Sequence, residues 1–201
     1  MSYQIKKTPM THPHTAHTIS TIAGLEALYG LPGERASLKQ IDHLDAVCQR
    51  FIAAAPFLLV ATCGAAGMDC SPRGDQPGFV GIDDANTLLL PDRRGNNRID
   101  SLRNLVVNPM IGLLFLIPGV HQCLRVNGLA RISTEPALLA RFALDGVPPT
   151  SVLVVRVEQA FVQCSRAILR GGLWPVDATQ VPGLADLLQE QIGSKELSTG
   201  L

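Results

Sequence analysis

The chain has 201 residues, 46% of them hydrophobic, and its 17 basic and 17 acidic side chains leave a formal charge of zero. That size suits one compact domain with short extensions, and the balance gives no global pull toward nucleic acid or an anionic membrane. Apolar runs such as Met110–Pro118 are too short to span a bilayer. The N-terminus lacks the apolar core of a secretory signal, so the sequence reads as cytoplasmic.

Residues 1–20 are polar and irregular, with His12, His14 and His17 close together, and read as a mobile arm. Thr21–Tyr29 reads as a short helix stopped by Gly30 and Pro32. Ile41, Leu44, Val47, Cys48, Phe51, Ile52 and Ala55 recur at helical spacing, from about Asp42 to the stop at Pro56. The texture then changes. Phe57–Thr62, Asp69–Pro72, Phe79–Ile82 and Thr87–Leu90 are short runs separated by Gly, Pro and Asp, which are strand and turn signals.

Arg98–Val107 returns to helical period and ends at Asn108-Pro109. Strands are predicted over Ile111–Ile117, Cys123–Ser133 and Ser151–Cys164, with a short helix over Pro136–Ala143. In the last strand Leu153, Val155 and Val157 face one way and Val152, Val154 and Arg156 the other. Gly183–Ile192 has the pattern of a terminal amphipathic helix. Strands do not alternate regularly with helices, and no G-x-G-x-x-G follows a strand, which excludes a doubly wound sheet. The pattern is mainly β with α additions, an α+β barrel.

Two clusters carry chemistry. Ser71-Pro72-Arg73-Gly74-Asp75 closes a strand. Pro72 marks an edge, Gly74 allows a ligand to approach the backbone, and Arg73 is a candidate for a phosphate or a ring carbonyl. Its plainer reading is a surface turn with an Arg73–Asp75 ion pair. The second cluster, Pro91-Asp92-Arg93-Arg94-Gly95-Asn96-Asn97-Arg98, gathers three arginines and two amides before a helix. Free N–H groups, the helix dipole and guanidinium forks together describe a phosphomonoester site. A solvated basic turn is the alternative.

This loop has no P-loop pattern and no aromatic platform for nucleic acid. Leu124-Arg125-Val126-Asn127-Gly128 places a charge within a strand, and Arg170-Gly171-Gly172-Leu173-Trp174-Pro175 holds the only tryptophan. The five cysteines form no C-x-x-C pair, no ligand pair has zinc spacing, and no serine sits in a nucleophile elbow. The thiols therefore read as reduced, and nucleophilic catalysis finds little support in the sequence.

Taken in order, S-P-R-G-D, L-x-x-P-D-R-x-G-N-x-R, F-L-I-P-G, L-R-V-N-G and R-x-x-L-W resemble a bacterial branch of the pyridoxamine 5'-phosphate oxidase-like FMN-binding proteins, over about residues 20–192. The resemblance implies a six-stranded split β-barrel over 41–175, flanked by an arm and short helix over 1–40 and a helical tail over 176–201. It implies a homodimer with FMN at the subunit interface. By position, Cys70, Ser71, Pro72 and Arg73 would lie along the isoalloxazine and ribityl chain, and Leu90 and Pro91 beside the ring. Asn96, Asn97 and Arg98 would hold the phosphate, with Arg94 nearby. Cys123 and Arg125 would reach the flavin edge from the second subunit, and Trp174 would close the site.

Two departures stand out. The Arg-Leu-His-type substrate motif of the vitamin B6 oxidase is absent, because Pro175-Val176-Asp177 follow Trp174. Gly171 and Gly172 stand where the branch usually has a serine and a larger residue. The implied activity is an FMN-dependent oxidoreductase working with an unidentified small-molecule substrate or electron donor. The alternatives are a non-catalytic FMN-binding or storage protein, and a related split barrel using a deazaflavin or haem.

Overall fold

The computed structural model describes residues 17–33, 39–65 and 67–174. The predicted helix over 183–192, residues 175–177, and His12 and His14 lie outside them. Helix α1 (Ile22–Tyr29) begins where Thr21 Oγ1 accepts the Gly24 N–H at 3.1 Å and ends at Gly30, whose φ of 73° suits glycine.

Helix α2 (Ala46–Ala54) starts later than the apolar spacing predicts, with Asp45 as its cap accepting from Cys48 N at 2.7 Å. The preceding residues are claimed by the sheet. Ile41 exchanges both backbone hydrogen bonds with Ala160, and Leu44 N donates to the Ala85 carbonyl. Ladder pairing overrides helical periodicity there, although Leu44, Cys48 and Ile52 all still reach the core.

Seven strands follow, one more than the resemblance implies. They are β1 (Phe57–Gly64), β2 (Gly67–Gly74), β3 (Gly81–Asp84), β4 (Thr87–Asp92), β5 (Met110–Leu116), β6 (Cys123–Ser133) and β7 (Ser151–Gln163). The short β3 folds back on β4 through a tight turn, with Asp84 paired opposite Thr87. Helices α3 (Asp100–Val107), α4 (Pro136–Arg141) and α5 (Arg166–Arg170) complete the described chain. The region of α5 has no predicted helix.

All pairings are antiparallel, in the order β2-β1-β5-β6-β7-β4-β3. Alternate residues of each long strand turn to one side: Leu58 and Val60, Leu113 and Phe115, Leu124 and Val126, Leu153 and Val155, Leu88 and Leu90. These form a single buried cluster. It joins β1, near one end of the strand order, to β4, near the other, so the sheet is rolled around its own core as in a split barrel. In β7, Leu153, Val155 and Val157 point inward and Arg156 outward, as the alternation predicts, while Val152 is buried as well. Among the described residues, no helix is long and apolar enough to cross a membrane.

Candidate functional site

The rolled sheet brings the two motif clusters together. A cleft of about 580 Å³ is lined by Arg73-Gly74-Asp75 from the end of β2 and by Pro91 through Asn97 from the end of β4, with Phe79, Ile99, Leu102 and Thr150. Segments about twenty residues apart in sequence thus share one wall. Asp92 belongs to β4, whose partner strand β7 begins opposite it at Ser151.

The charges inside do not pair as sequence proximity suggests. Arg73 reaches Asp92 at 3.6 Å rather than Asp75, and Arg93 takes Asp75 at 3.3 Å and the Phe142 carbonyl at 3.0 Å. Arg94 makes no hydrogen bond or ion pair among the described residues, so it is the cleft's free guanidinium. Asn96 and Asn97 stand exposed beside it. Arg98 does not line the cleft. Its guanidinium donates to Asp100 Oδ2 at 2.9 Å.

Helix α3 starts at Asp100 rather than Arg98, because Ile99 adopts the left-handed conformation with φ of 50°. Asn97, at φ of 60°, tolerates that region, but a β-branched isoleucine does so only at a cost of about 1–3 kcal/mol. The loop is therefore held in shape by its surroundings. One restraint is visible in β2. Ser71 Oγ donates to Asp69, and Ser101 Oγ, in the first turn of α3, donates to the same carboxylate. Asn104 Nδ2, one turn further on, donates to Thr62 Oγ1 at 3.1 Å. These bonds tie the start of α3 to the strands beneath it. The sequence reading does not single out Asp69 or Ser101, although Asp69, Ser71 and Arg73 recur with the strand period of two.

That period also divides the first motif. Ser71 and Arg73 turn to the side of the cleft and α3, whereas Cys70 and Pro72 are exposed on the opposite face. Gly74 has a structural reason to be glycine, since a side chain would press on the Pro56 carbonyl at 3.2 Å and the Phe57 ring at 3.3 Å. Leu90 is buried in the barrel core, and Pro91, its neighbour, lines the cleft.

Cys123, Arg125 and Trp174 do not line it. Cys123 and Arg125 lie on the outer face of β6, where Arg125 stacks on Phe161 of β7 at 5.2 Å. The Trp174 indole N–H is buried without a partner among the described residues. No cluster of metal-binding side chains occurs among the described residues.

Burial pushes the Asp92 carboxyl above its ordinary value of 3.8, and nearby Arg73 partly offsets the rise. A raised folded-state value means that ionising Asp92 costs the fold stability. Below pH 3.8, wild type and Asp92→Asn should therefore melt alike. As pH rises through the raised value, wild type should fall below the variant. Melting curves from pH 3 to 7 check this; a difference that does not change with pH would rule out Asp92 as its source.

Residues 44–164 match the pyridoxamine 5'-phosphate oxidase family, and the chain belongs to it. No curated protein matches the sequence. Similar solved structures include a HupZ variant from group A Streptococcus, at 22% identity and TM-score 0.49, covering 60% of this chain and 99% of that one. General stress protein 26 from Bacillus anthracis is 16% identical with TM-score 0.41, over 57% and 88% of the two chains. An FMN-binding protein from Syntrophomonas wolfei is 11% identical with TM-score 0.43, over 58% and 88%.

Proposed function

We propose that the chain is an FMN-binding flavoprotein working as a homodimer, and that it is an FMN-dependent oxidoreductase acting on a small molecule. The observation that carries this is the cleft itself, where an unpaired guanidinium, two exposed amides and a helix start converge within the family's matched region. This donor set suits a phosphomonoester. Arg94, Asn96, Asn97 and Arg98 would hold the phosphate, with Arg98 drawn from Asp100. Ser71, Arg73 and Pro91 would line the ribityl chain and ring, with the edge strand β2 offering backbone groups at Cys70 and Pro72.

When bound, FMN supplies electron or hydride transfer, and the protein supplies position and charge. With FMN bound, Arg73 would supply positive charge to offset the electron density gained on reduction.

A second copy is expected to complete the site. The outer face of β1, β5 and β7 presents Phe57, Leu59, Leu114, Leu116 and Phe161, all partly exposed and with no layer over them among the described residues. A two-sheet or sheet–helix fold normally covers such a face. Pairing two copies across it would bring Cys123 and Arg125 of the partner subunit toward the flavin, with Trp174 closing the other side.

Purified protein reconstituted with FMN should quench flavin fluorescence at one FMN per chain, and light scattering should give two chains per particle. A colourless protein that leaves free FMN fluorescence untouched would sink the cofactor assignment. A strict monomer with FMN bound would sink the dimer. Turnover of NAD(P)H with an electron acceptor separates an oxidoreductase from a storage protein.

A further inference from the structure

Helix α1 is left uncovered among the described residues. None of its residues is buried. Ile22 is 70% exposed, Leu28 64% and Tyr29 79%, with Leu31 beyond the helix end at 76%. An isolated helix this short is not stable in water, so it needs a surface to pack on. Together with Ile19 and Leu25, these side chains leave on the order of several hundred Å² of apolar surface uncovered, at or above what a monomer ordinarily tolerates in one patch.

Ile22, Leu25, Glu26 and Tyr29 recur at i, i+3, i+4 and i+7, so one face of α1 holds three apolar side chains and a carboxylate. The Glu26 side chain has no partner among the described residues. A lipid surface is a poor match, because residues 17–33 contain no lysine or arginine and the carboxylate sits within the apolar face.

A complementary surface lies on the outside of the barrel. A groove of about 560 Å³ runs along β4, β7 and β6 beside α4, with Leu89, Leu129, Val154 and Leu138 among its lining. Cross-strand register puts Arg131 opposite Val154 on this face. Of the groove's other charges, Asp83 is paired with Arg141 and Arg156 with Glu158, each at 2.8 Å. Glu135 stands at the α4 end of the groove. Arg131 has no hydrogen bond or ion pair among the described residues. An apolar groove with one free guanidinium fits an apolar helix face with one free carboxylate. The chain's own α1 is not in the groove, since none of its residues line it. Arg125, Leu129 and Arg131 alternate with the buried residues of β6, so the groove lies on the same side of the sheet as Arg125 and Phe161, the side assigned above to the second copy.

We propose that α1 of one chain docks in the β4–β7–β6 groove of a second copy, with Glu26 meeting Arg131. This rests on the homodimer reading. Two such exchanges are related by a two-fold axis and close the assembly. The arm thus ties each chain to its partner.

Charge exchange tests it with the full-length chain and FMN. Amide hydrogen exchange over residues 22–29 should show protection in wild type. Glu26→Arg alone, and Arg131→Glu alone, place like charges together in both contacts and should each lower that protection about tenfold or more. An equimolar mixture of the two variants should restore it, because in the mixed dimer each arm meets an opposite charge. Rescue by mixing requires docking between chains. Rescue only when both substitutions share one chain, with none on mixing, would make the occupant the chain's own arm and overturn the proposal. Protection unmoved by either substitution, or absent in wild type, would overturn it as well. Light scattering on the same samples keeps the readings apart. Dimers with an unprotected arm reject the arm exchange alone, and monomers throughout reject the dimer with it.

Discussion

Arg94→Ala and Arg98→Ala are each expected to weaken FMN binding roughly tenfold to a hundredfold while leaving riboflavin nearly unchanged. Removing one charge-assisted partner of a phosphate typically costs about 1.5–3 kcal/mol, which is roughly that range in affinity. Riboflavin has the same ring and ribityl chain without the phosphate, so it separates phosphate contacts from general damage to the cleft. The two arginines differ in their starting points. Arg94 lines the cleft with no partner among the described residues, so its loss is a loss of attraction. Arg98 is bonded to Asp100, and truncating it also exposes a carboxylate in the first turn of α3, close to where the phosphate is proposed to bind. Asp100→Asn in the Arg98→Ala background should therefore recover part of the lost affinity. Titrating both flavins into wild type and the variants by fluorescence quenching checks each point. Equal losses for FMN and riboflavin, or none for either, would remove the phosphate from this loop.

The parts of the site that sequence made legible are those set by local chemistry. A run of arginines, asparagines and glycine between a strand and a helix advertises an anion site whatever surrounds it, and the fold places that run beside Arg73. The strands were legible for a similar reason, since short apolar runs bounded by Gly, Pro and Asp mark β1 and β5, and the alternation read in β7 maps onto inward Leu153, Val155 and Val157 and outward Arg156. What stayed hidden depends on contacts distant in sequence. The start of α2 is displaced because Ile41 pairs with Ala160, well over a hundred residues away. The exchange of ion-pair partners between Arg73 and Arg93 arises only once β2 and β4 end at the same cleft. Asp69 and Ser101 share a bond across 32 residues, and neither belongs to a motif. The apolar residues of α1 were read as a helix, but nothing in their spacing shows that the barrel leaves them uncovered.

Gly128→Ala should be among the most damaging substitutions in the sheet. Gly128 lies opposite Val157 where the β6–β7 register shifts, because Glu158 is an extra residue between the partners of Asn127 and Gly128. A Cβ at this position would lie 2.0 Å from the Arg156 carbonyl oxygen and 3.0 Å from its carbon. Both obstacles are backbone, so no side chain can swing aside, and only separating the strands makes room. β6 and β7 are central in the strand order, and β4, which ends at Asp92, hangs on β7. Opening this ladder therefore disturbs the core and the cleft together. Overpacking alone costs about 1–3 kcal/mol, and each ladder hydrogen bond lost adds about 1 kcal/mol. At about 2–4 °C per kcal/mol for a chain of this size, Tm should fall by roughly 10 °C. Gly112→Ala is the control. Its Cβ would meet Asn127 at 3.5 Å and Ala61 at 3.7 Å, both ordinary contacts, so its Tm should stay within about 2 °C of wild type. Thermal melts of the three proteins decide the matter. If Gly128→Ala melts with the control, the bulge is pliable enough to absorb a methyl group and is not the rigid joint of the barrel.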